Sequence, residues 1–341
     1  MKKKVLIIGP IPPPAGGVSI HITRLADLLS SWYSVELADE SKVSKQGIYN
    51  IRNSKFTRYF KTISSSDIVH IHSGPRSLKY AHILFSKLLR KKTLLTIHSY
   101  REKASFPFSL LDKWMYSMPN TTIIVNKDFD KRLGLKNHVV VKDAFLPPSV
   151  EKEAPVPAEI TGWLHTKKQD GYTVAVGNAW RLDMHNGEDL YGLDLCFAAA
   201  KKLKENNEKV CFVFVVCDLH GSIDITKYET QIKEQQLEDV FYLHKAQISF
   251  INLIKETDIV LRPTNTDGDA LTVREALFLG KNVIASDVVK RPEGTLLFET
   301  RNVEALTDAI RKAKDINKPV ANSAGQNNLT DFYKDIYSNL N

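Results

Sequence analysis

The densest chemistry in the chain lies in Arg262-Pro263-Thr264-Asn265-Thr266-Asp267-Gly268-Asp269-Ala270-Leu271-Thr272-Val273-Arg274-Glu275. It follows the apolar run Ile259–Leu261 and passes abruptly into helical spacing. Asp267 and Asp269 suit a helix N-terminus, whose exposed N–H groups can also hold a diphosphate. Glu275 comes about two helical turns after Asp267, roughly 80° out of alignment if both were helical. The two carboxylates therefore need not touch. One can bind hexose hydroxyls at the mouth of the helix while the other takes a ribose diol. By geometry alone, a cap followed by a surface glutamate fits equally.

Two further places carry chemistry. After Val5–Ile8 comes Gly9-Pro10-Ile11-Pro12-Pro13-Pro14-Ala15-Gly16-Gly17-Val18-Ser19, in which Gly16 and Gly17 open a helix. Glycines there let backbone N–H groups approach an anion, so a diphosphate or a sugar suits the turn. The dinucleotide fingerprint Gly-x-Gly-x-x-Gly is absent, which disfavours an oxidoreductase. Histidines gather at strand ends, in Asp67-Ile68-Val69-His70-Ile71-His72 and in Thr96-Ile97-His98. His70 and His72 share a strand face. No third ligand stands at fixed spacing, so metal binding is not expected, and hydrogen bonding to substrate hydroxyls is the better use.

These residues need a scaffold that brings strand ends together. Short apolar runs at Val5–Ile8, Ile68–Ile71, Thr93–Ile97 and Thr122–Val125 alternate with amphipathic stretches at Gly17–Leu29, Leu78–Leu89 and Phe108–Met118, which is the pattern of βαβ units. Val35–Leu37 and Val139–Val141 are shorter strand candidates. The proline-dense segment from Leu146 to Pro157 reads as a linker. Beyond it the logic repeats, with strands Thr173–Val176, Val210–Val216, Val240–Leu243, Ile259–Leu261 and Asn282–Ala285 and helices such as Leu193–Leu203 and Leu271–Leu279. A last helix, Leu329–Leu340, follows the polar stretch 321–328. The reading is two doubly wound α/β domains, residues 1–150 and 151–324, with a helix over 325–341 able to pack back on the first.

A chain of 341 residues exceeds what one core usually organises. A hydrophobic fraction of 43% and a charged fraction of 25% exclude disordered and fibrous classes. No apolar run reaches a membrane span, and three cysteines without metal-ligand partners fit a reducing compartment. Cys211 and Cys217 fall on one strand face, as core residues would. Charge is divided unevenly: residues 1–150 carry 24 Lys and Arg against 10 Asp and Glu, and the remainder 23 against 29. A basic first half suits an anionic membrane surface, and nucleic acid is disfavoured by the lack of any recognised module.

At the Asp267-x7-Glu275 segment the sequence resembles the large retaining GT-B glycosyltransferase family, family four, whose signature is Glu-x7-Glu in a strand-loop-helix. The resemblance extends to Gly16-Gly17, the Asp67–His70 strand, Thr96-Ile97-His98, Gly280–Asp287 and the turn Arg291-Pro292-Glu293-Gly294. It implies two Rossmann-like domains facing across a cleft, with acceptor bound by the first, donor by the second, and transfer between them without a metal or other cofactor. His98 and Asp267 are then the catalytic positions. Gly16, Gly17, Arg181, Gly268, Asp269, Ala270, Leu271 and Glu275 bind donor, with Asp267 meeting sugar hydroxyls and Glu275 the ribose; His70 and His72 lie on the acceptor or sugar side. Two departures stand out. Asp267 is one methylene shorter than the family glutamate, and Tyr191 stands where a phosphate-binding lysine is expected, with Arg262 and Arg274 as nearby cations able to replace it. Asp267-Gly268-Asp269 also mimics the Asp-x-Asp metal motif of the GT-A fold, but it lies deep in a second α/β domain.

The function expected is hexosyl transfer from a nucleotide diphosphate sugar to a lipid-linked saccharide acceptor in O-antigen- or capsule-type polysaccharide assembly. The protein would be cytoplasmic and peripheral at the inner face of the plasma membrane. The alternatives are a nucleotide-sugar-binding protein without transfer, or an epimerase or hydrolase on the same fold.

Overall fold

The structure, a computed structural model, describes residues 2–13, 16–99, 108–125, 133–142, 145–268, 270–316 and 324–340, with backbone only over 324–328. The chain forms two compact units, residues 1–146 with 326–341, and residues 147–325. Elements are numbered in chain order among the described residues.

The first unit is built on seven parallel strands: β1 Lys4–Gly9, β2 Ser34–Asp39, β3 Tyr49–Asn50, β4 Ile68–Ile71, β5 Lys92–Ile97, β6 Thr121–Ile124 and β7 His138–Val141. Their order is β3-β2-β1-β4-β5-β6-β7. The strands are apolar on both faces because helices cover both. Val5 and Ile7 of β1 face a layer made by α1 (Gly17–Ser30) and the last helix, α11 (Ala324–Ser338), through Ile22, Leu25, Leu29, Tyr333 and Tyr337. Leu6 and Ile8, one residue out of step, face α2 (Phe56–Ser64), α3 (Arg76–Leu88) and α4 (Phe108–Tyr116) through Tyr59, Ile63, Ile83, Met115 and Tyr116. The chain's last helix thus supplies part of the first unit's core.

The second unit follows the same plan. Its main sheet contains β8 Thr173–Arg181, β11 Val210–Asp218, β12 Phe241–His244, β13 Ile259–Arg262, β14 Asn282–Ser286 and β15 Thr295–Phe298, in the order β12-β11-β8-β13-β14-β15. A two-stranded antiparallel ribbon, β9 Met184–His185 with β10 Glu188–Asp189, stands apart from it. The helices are α5 Ala158–Gln169, α6 Leu193–Glu205, α7 Thr226–Glu234, α8 Phe250–Lys255, α9 Leu271–Phe278 and α10 Val303–Asp315. Cys196 and Cys211 are buried, Cys217 is partly buried, and all three are free thiols.

Both sheets are Rossmann-like, and the strand order reverses between β1 and β4 in one and between β8 and β13 in the other. Such reversals open a crevice at the carboxyl ends of the two strands, where ligands settle. The segments singled out by their chemistry fall there: Gly16 and Gly17 after β1, His72 after β4, Arg181 at the end of β8, and Arg262 to Asp267 at the end of β13.

Candidate active site

Asp267 lies in the loop joining β13 to α9, and its carboxylate is clasped by protein donors. Arg262, the last residue of β13, donates through Nε to Oδ2 and through Nη2 to Oδ1, both at 3.0 Å. Arg291 donates from Nη1 to Oδ2 at 2.7 Å, and the Thr264 hydroxyl reaches the same oxygen at 3.2 Å. The Gly268 N–H closes on Oδ1 at 2.9 Å. Burial alone would raise the Asp267 pKa; the Arg262 and then the Arg291 guanidinium outweigh it and hold the group below the usual carboxylate range. Arg291 is fixed in turn by the Ser286 carbonyl at 3.2 Å and by the hydroxyls of Ser286 and Thr264, each at 3.3 Å. Two guanidiniums around one carboxylate leave a net positive charge. Arg262 is the more accessible of the two, at 14% exposure against 2%.

Helix α9 begins at Leu271, with Ala270 extended as its N-cap. Ala270 accepts from the N–H groups of Val273 and Arg274. The N–H groups of Leu271 and Thr272 therefore have no acceptor inside the helix and carry its positive pole. Glu275, on the next turn, is buried at 6% exposure, which removes the surface-glutamate reading. Asp269 lies outside the described residues.

A second layer positions Tyr191 over this loop. Asp189, buried at the end of β10, accepts from the Tyr191 and Gly192 N–H groups at 2.8 and 3.1 Å and from the Tyr228 hydroxyl at 3.3 Å. Burial, reinforced by Asp194, raises its pKa. Gly192 has φ +72°, and a Cβ there would come within 2.2 Å of the Pro263 carbonyl oxygen. Only glycine lets the start of α6 close on the loop after β13. The result sets the Arg262 guanidinium 5.3 Å from the centroid of the Tyr191 ring. Arg181, at the end of β8, is half exposed and donates from Nε to Asp183 at 2.6 Å.

In the first unit Gly16 caps α1, its N–H donating to the Ser19 hydroxyl at 2.8 Å. A Cβ on Gly17 would meet nothing within 4 Å, so packing does not demand glycine there and the turn opens on space. The same unit packs four histidines together. His70 commits both ring nitrogens, Nδ1 to the Tyr337 hydroxyl at 2.6 Å and Nε2 to the Thr96 hydroxyl at 2.8 Å, which leaves neither for an acceptor sugar. The His72 ring packs against it tilted by 48°, ring centroids 4.1 Å apart, and its Nδ1 lies 2.9 Å from Nε2 of His98. Burial, then neighbouring histidines, hold His70, His72 and His98 well below the usual imidazole range. His21 from α1 completes the group. Among the described residues His21, His72 and His98 form the one cluster able to hold a metal, with a nitrogen of each within 4.8 Å of the others.

The sequence-picked residues thus fall into two constellations, one in each unit. Asp267, Gly268, Ala270, Leu271 and Glu275 gather at the β13–α9 junction, and Gly16, Gly17, His72 and His98 at the carboxyl end of the first sheet. His21, Asp189 and Arg291 were not singled out from sequence as site residues. Asp189 had a usable signal, an aspartate two and three residues before donors of a turn that ends in glycine.

Residues 183–329 match the family model described as Glycosyl transferases group 1. No curated protein sequence matches the chain. Solved structures match it over nearly its whole length. One is a glycosyltransferase from Rickettsia africae, with a TM-score of 0.67 and 17% identity, covering 99% of this chain and 98% of that one. Another is an Anabaena protein in complex with UDP-glucose, at TM-score 0.59 and 12% identity, covering 92% and 90%. A sucrose-phosphate synthase from Thermosynechococcus elongatus follows at TM-score 0.57 and 13% identity, covering 99% and 100%. At these identities the likeness establishes the fold, which is GT-B.

Proposed function

We propose that this protein is a glycosyltransferase that moves a hexosyl group from a nucleotide diphosphate sugar to a saccharide acceptor with retention of anomeric configuration. The observation that carries the reading is the β13–α9 junction, where Asp267 and buried Glu275 flank a helix N-terminus inside the segment that matches the group 1 transferases. In such a transfer the bond from the anomeric carbon to the diphosphate breaks, and negative charge grows on the leaving oxygen. Donors already fixed in place stabilise that charge without reorganising, which makes them worth several kcal/mol of barrier. The Leu271 and Thr272 N–H groups and the exposed side of Arg262 are such donors. Glu275 takes the ribose diol, its two oxygens accepting from two hydroxyls. His98, held neutral by burial, hydrogen-bonds the transferred sugar. On this reading no metal takes part in the transfer.

A second reading, donor binding without transfer, is favoured by one observation. Both Asp267 oxygens already accept from protein donors, so a sugar hydroxyl must displace one of them.

The acceptor we propose is a saccharide on a membrane lipid, in surface-polysaccharide assembly of O-antigen or capsule type, with the protein peripheral at the cytoplasmic face of the membrane. Supporting this is the outer surface of α2, α3 and α4. Each helix turns an i, i+4 pair of large apolar side chains to solvent: Phe56 with Phe60, Leu84 with Leu88, and Leu110 with Trp114. The helices lie side by side, Phe56 against Phe85 at 5.3 Å and the Tyr80 hydroxyl on Asp112 at 2.7 Å. Between residues 51 and 92 the chain carries ten Lys and Arg and a single acidic residue, Asp67. Apolar pairs among basic groups suit an anionic lipid surface, to which each nearby cation adds about 1 kcal/mol. Among the described residues no helix is long and apolar enough to cross a membrane.

The test is thermal stability against a panel of UDP-, GDP- and ADP-sugars, since a ligand that binds only the folded state raises the melting temperature. One donor should raise it, and Glu275→Ala should abolish the rise. Absence of a shift with every donor overturns the donor site; a shift without turnover on any acceptor favours the binding protein.

A further inference from the structure

We infer that His21, His72 and His98 form a three-imidazole site for a divalent first-row transition metal of the zinc class, in the first unit. The three come from different elements: His21 from the second turn of α1, His72 from the residue after β4, His98 from the residue after β5. Sequence spacing shows only the last two as strand-end neighbours; the fold adds the third.

The triangle they make has sides compatible with a tetrahedral ion at its centre. Ring centroids are 5.3 Å apart for His21 and His72, 5.0 Å for His21 and His98, and 5.2 Å for His72 and His98. A tetrahedral ion about 2.05 Å from each nitrogen puts each centroid about 3.2 Å away, and two such centroids at the tetrahedral angle are about 5.2 Å apart. All three observed sides fall within a few tenths of an ångström of that value. The same geometry separates two ligand nitrogens by about 3.3 Å. His72 Nδ1 and His98 Nε2 stand at 2.9 Å, so a small opening of that pair admits the ion.

The chemistry of the set agrees. An all-imidazole set without carboxylates suits zinc, cobalt, nickel or copper and not magnesium or calcium. His72 is braced for this role: the tilted ring of His70 packs against it at 4.1 Å and is itself pinned by Tyr337 and Thr96. Three protein ligands leave a fourth position open.

One consequence rests on the transferase reading. If His98 serves the transferred sugar, a bound ion takes it away, and turnover falls as the metal loads. Metal would then act as a brake, not as a participant.

The experiment is titration of tag-free, chelator-stripped protein with Co2+, followed by the visible d–d absorption of tetrahedral cobalt. We expect one ion per chain, displaced by Zn2+, and a loss of affinity of about 100-fold or more in His21→Gln. Far-UV circular dichroism and cooperative thermal unfolding of the metal-free variant serve as its fold control, because they read the first unit as well as the second. Absence of a tetrahedral band, or a band unchanged in His21→Gln, overturns the site. If the band is present and depends on His21 while turnover ignores the metal, the assignment of His98 to the sugar fails and the site stands.

Discussion

Arg291 reaches back across 24 residues of chain to place its Nη1 2.7 Å from Oδ2 of Asp267, with its side chain only 2% exposed. A guanidinium is buried this completely only where its charge is matched, and here the match is a carboxylate that a second arginine already holds. The relationship makes Asp267 the structural pivot of the β13–α9 loop, beyond any part it has in binding sugar.

Replacing Arg291 with Ala should therefore cost the second unit about 2–4 kcal/mol, less than the loss of a sole partner because Arg262 remains. Arg291→Lys should recover part of this, since one ammonium cannot serve Asp267, Thr264 and Ser286 together. Denaturant unfolding of the two variants measures both. A cost below about 0.5 kcal/mol for the Ala variant would show the pair to be unimportant.

The same pair sets an acid dependence. The folded pKa of Asp267 lies below its unfolded value, so its contribution is complete above the ordinary carboxylate range and disappears as pH falls through the folded value. Below about pH 4 the wild type should lose stability faster than Asp267→Asn. Melting curves between neutral and acid pH compare the two slopes; parallel slopes would remove Asp267 from the acid response.

Tyr191 should matter through its ring and not its hydroxyl. Tyr191→Phe keeps the face over Arg262 and should leave donor affinity within about twofold. Tyr191→Ala removes roughly 0.5–1 kcal/mol of cation–π support and should weaken donor binding by about two- to fivefold. Isothermal titration with the donor found in the thermal panel reads both. Equal losses in the two variants would point to the hydroxyl instead.

The exposed pairs on α2, α3 and α4 predict preferential binding to anionic over neutral vesicles, weakening with added salt. Phe56→Ser, Leu84→Ser and Trp114→Ser combined should cut that binding at least about tenfold while the donor-induced melting shift is unchanged. Vesicle co-sedimentation decides it, and equal pelleting with anionic and neutral vesicles would sink the membrane part.

Much of this architecture was legible because parallel strands buried on both faces must be apolar throughout. Val5–Ile8, Ile68–Ile71, Ile259–Leu261 and Asn282–Ala285 announce themselves, and the loops at their carboxyl ends follow at once. The ribbon Met184–His185 with Glu188–Asp189 did not, since two-residue strands are too short for any period to register. The β13–α9 junction could be read because strand, loop and helix are contiguous there. Arg291 could not, because its partner lies across a whole helix and strand. His21 was hidden differently: a histidine one turn into an amphipathic helix looks like any half-polar position, and only the sheet topology brings it to His98. Tyr337 meets His70 across 267 residues, a distance no local pattern spans.

The place of α11 has a consequence for how the protein is made. Ile22, Leu25 and Leu29 wait for Tyr333, Ile336, Tyr337 and Leu340 to close over them, yet all 179 residues of the second unit (147 to 325) are synthesised in between. At ribosomal speeds of about 5–20 residues per second, the interval is roughly 10–35 s. During that time the nascent first unit exposes an unfinished apolar face, and the second unit is complete once residue 325 has been added. The second unit is thus free to fold before the first, whose core stays open until α11 leaves the ribosome.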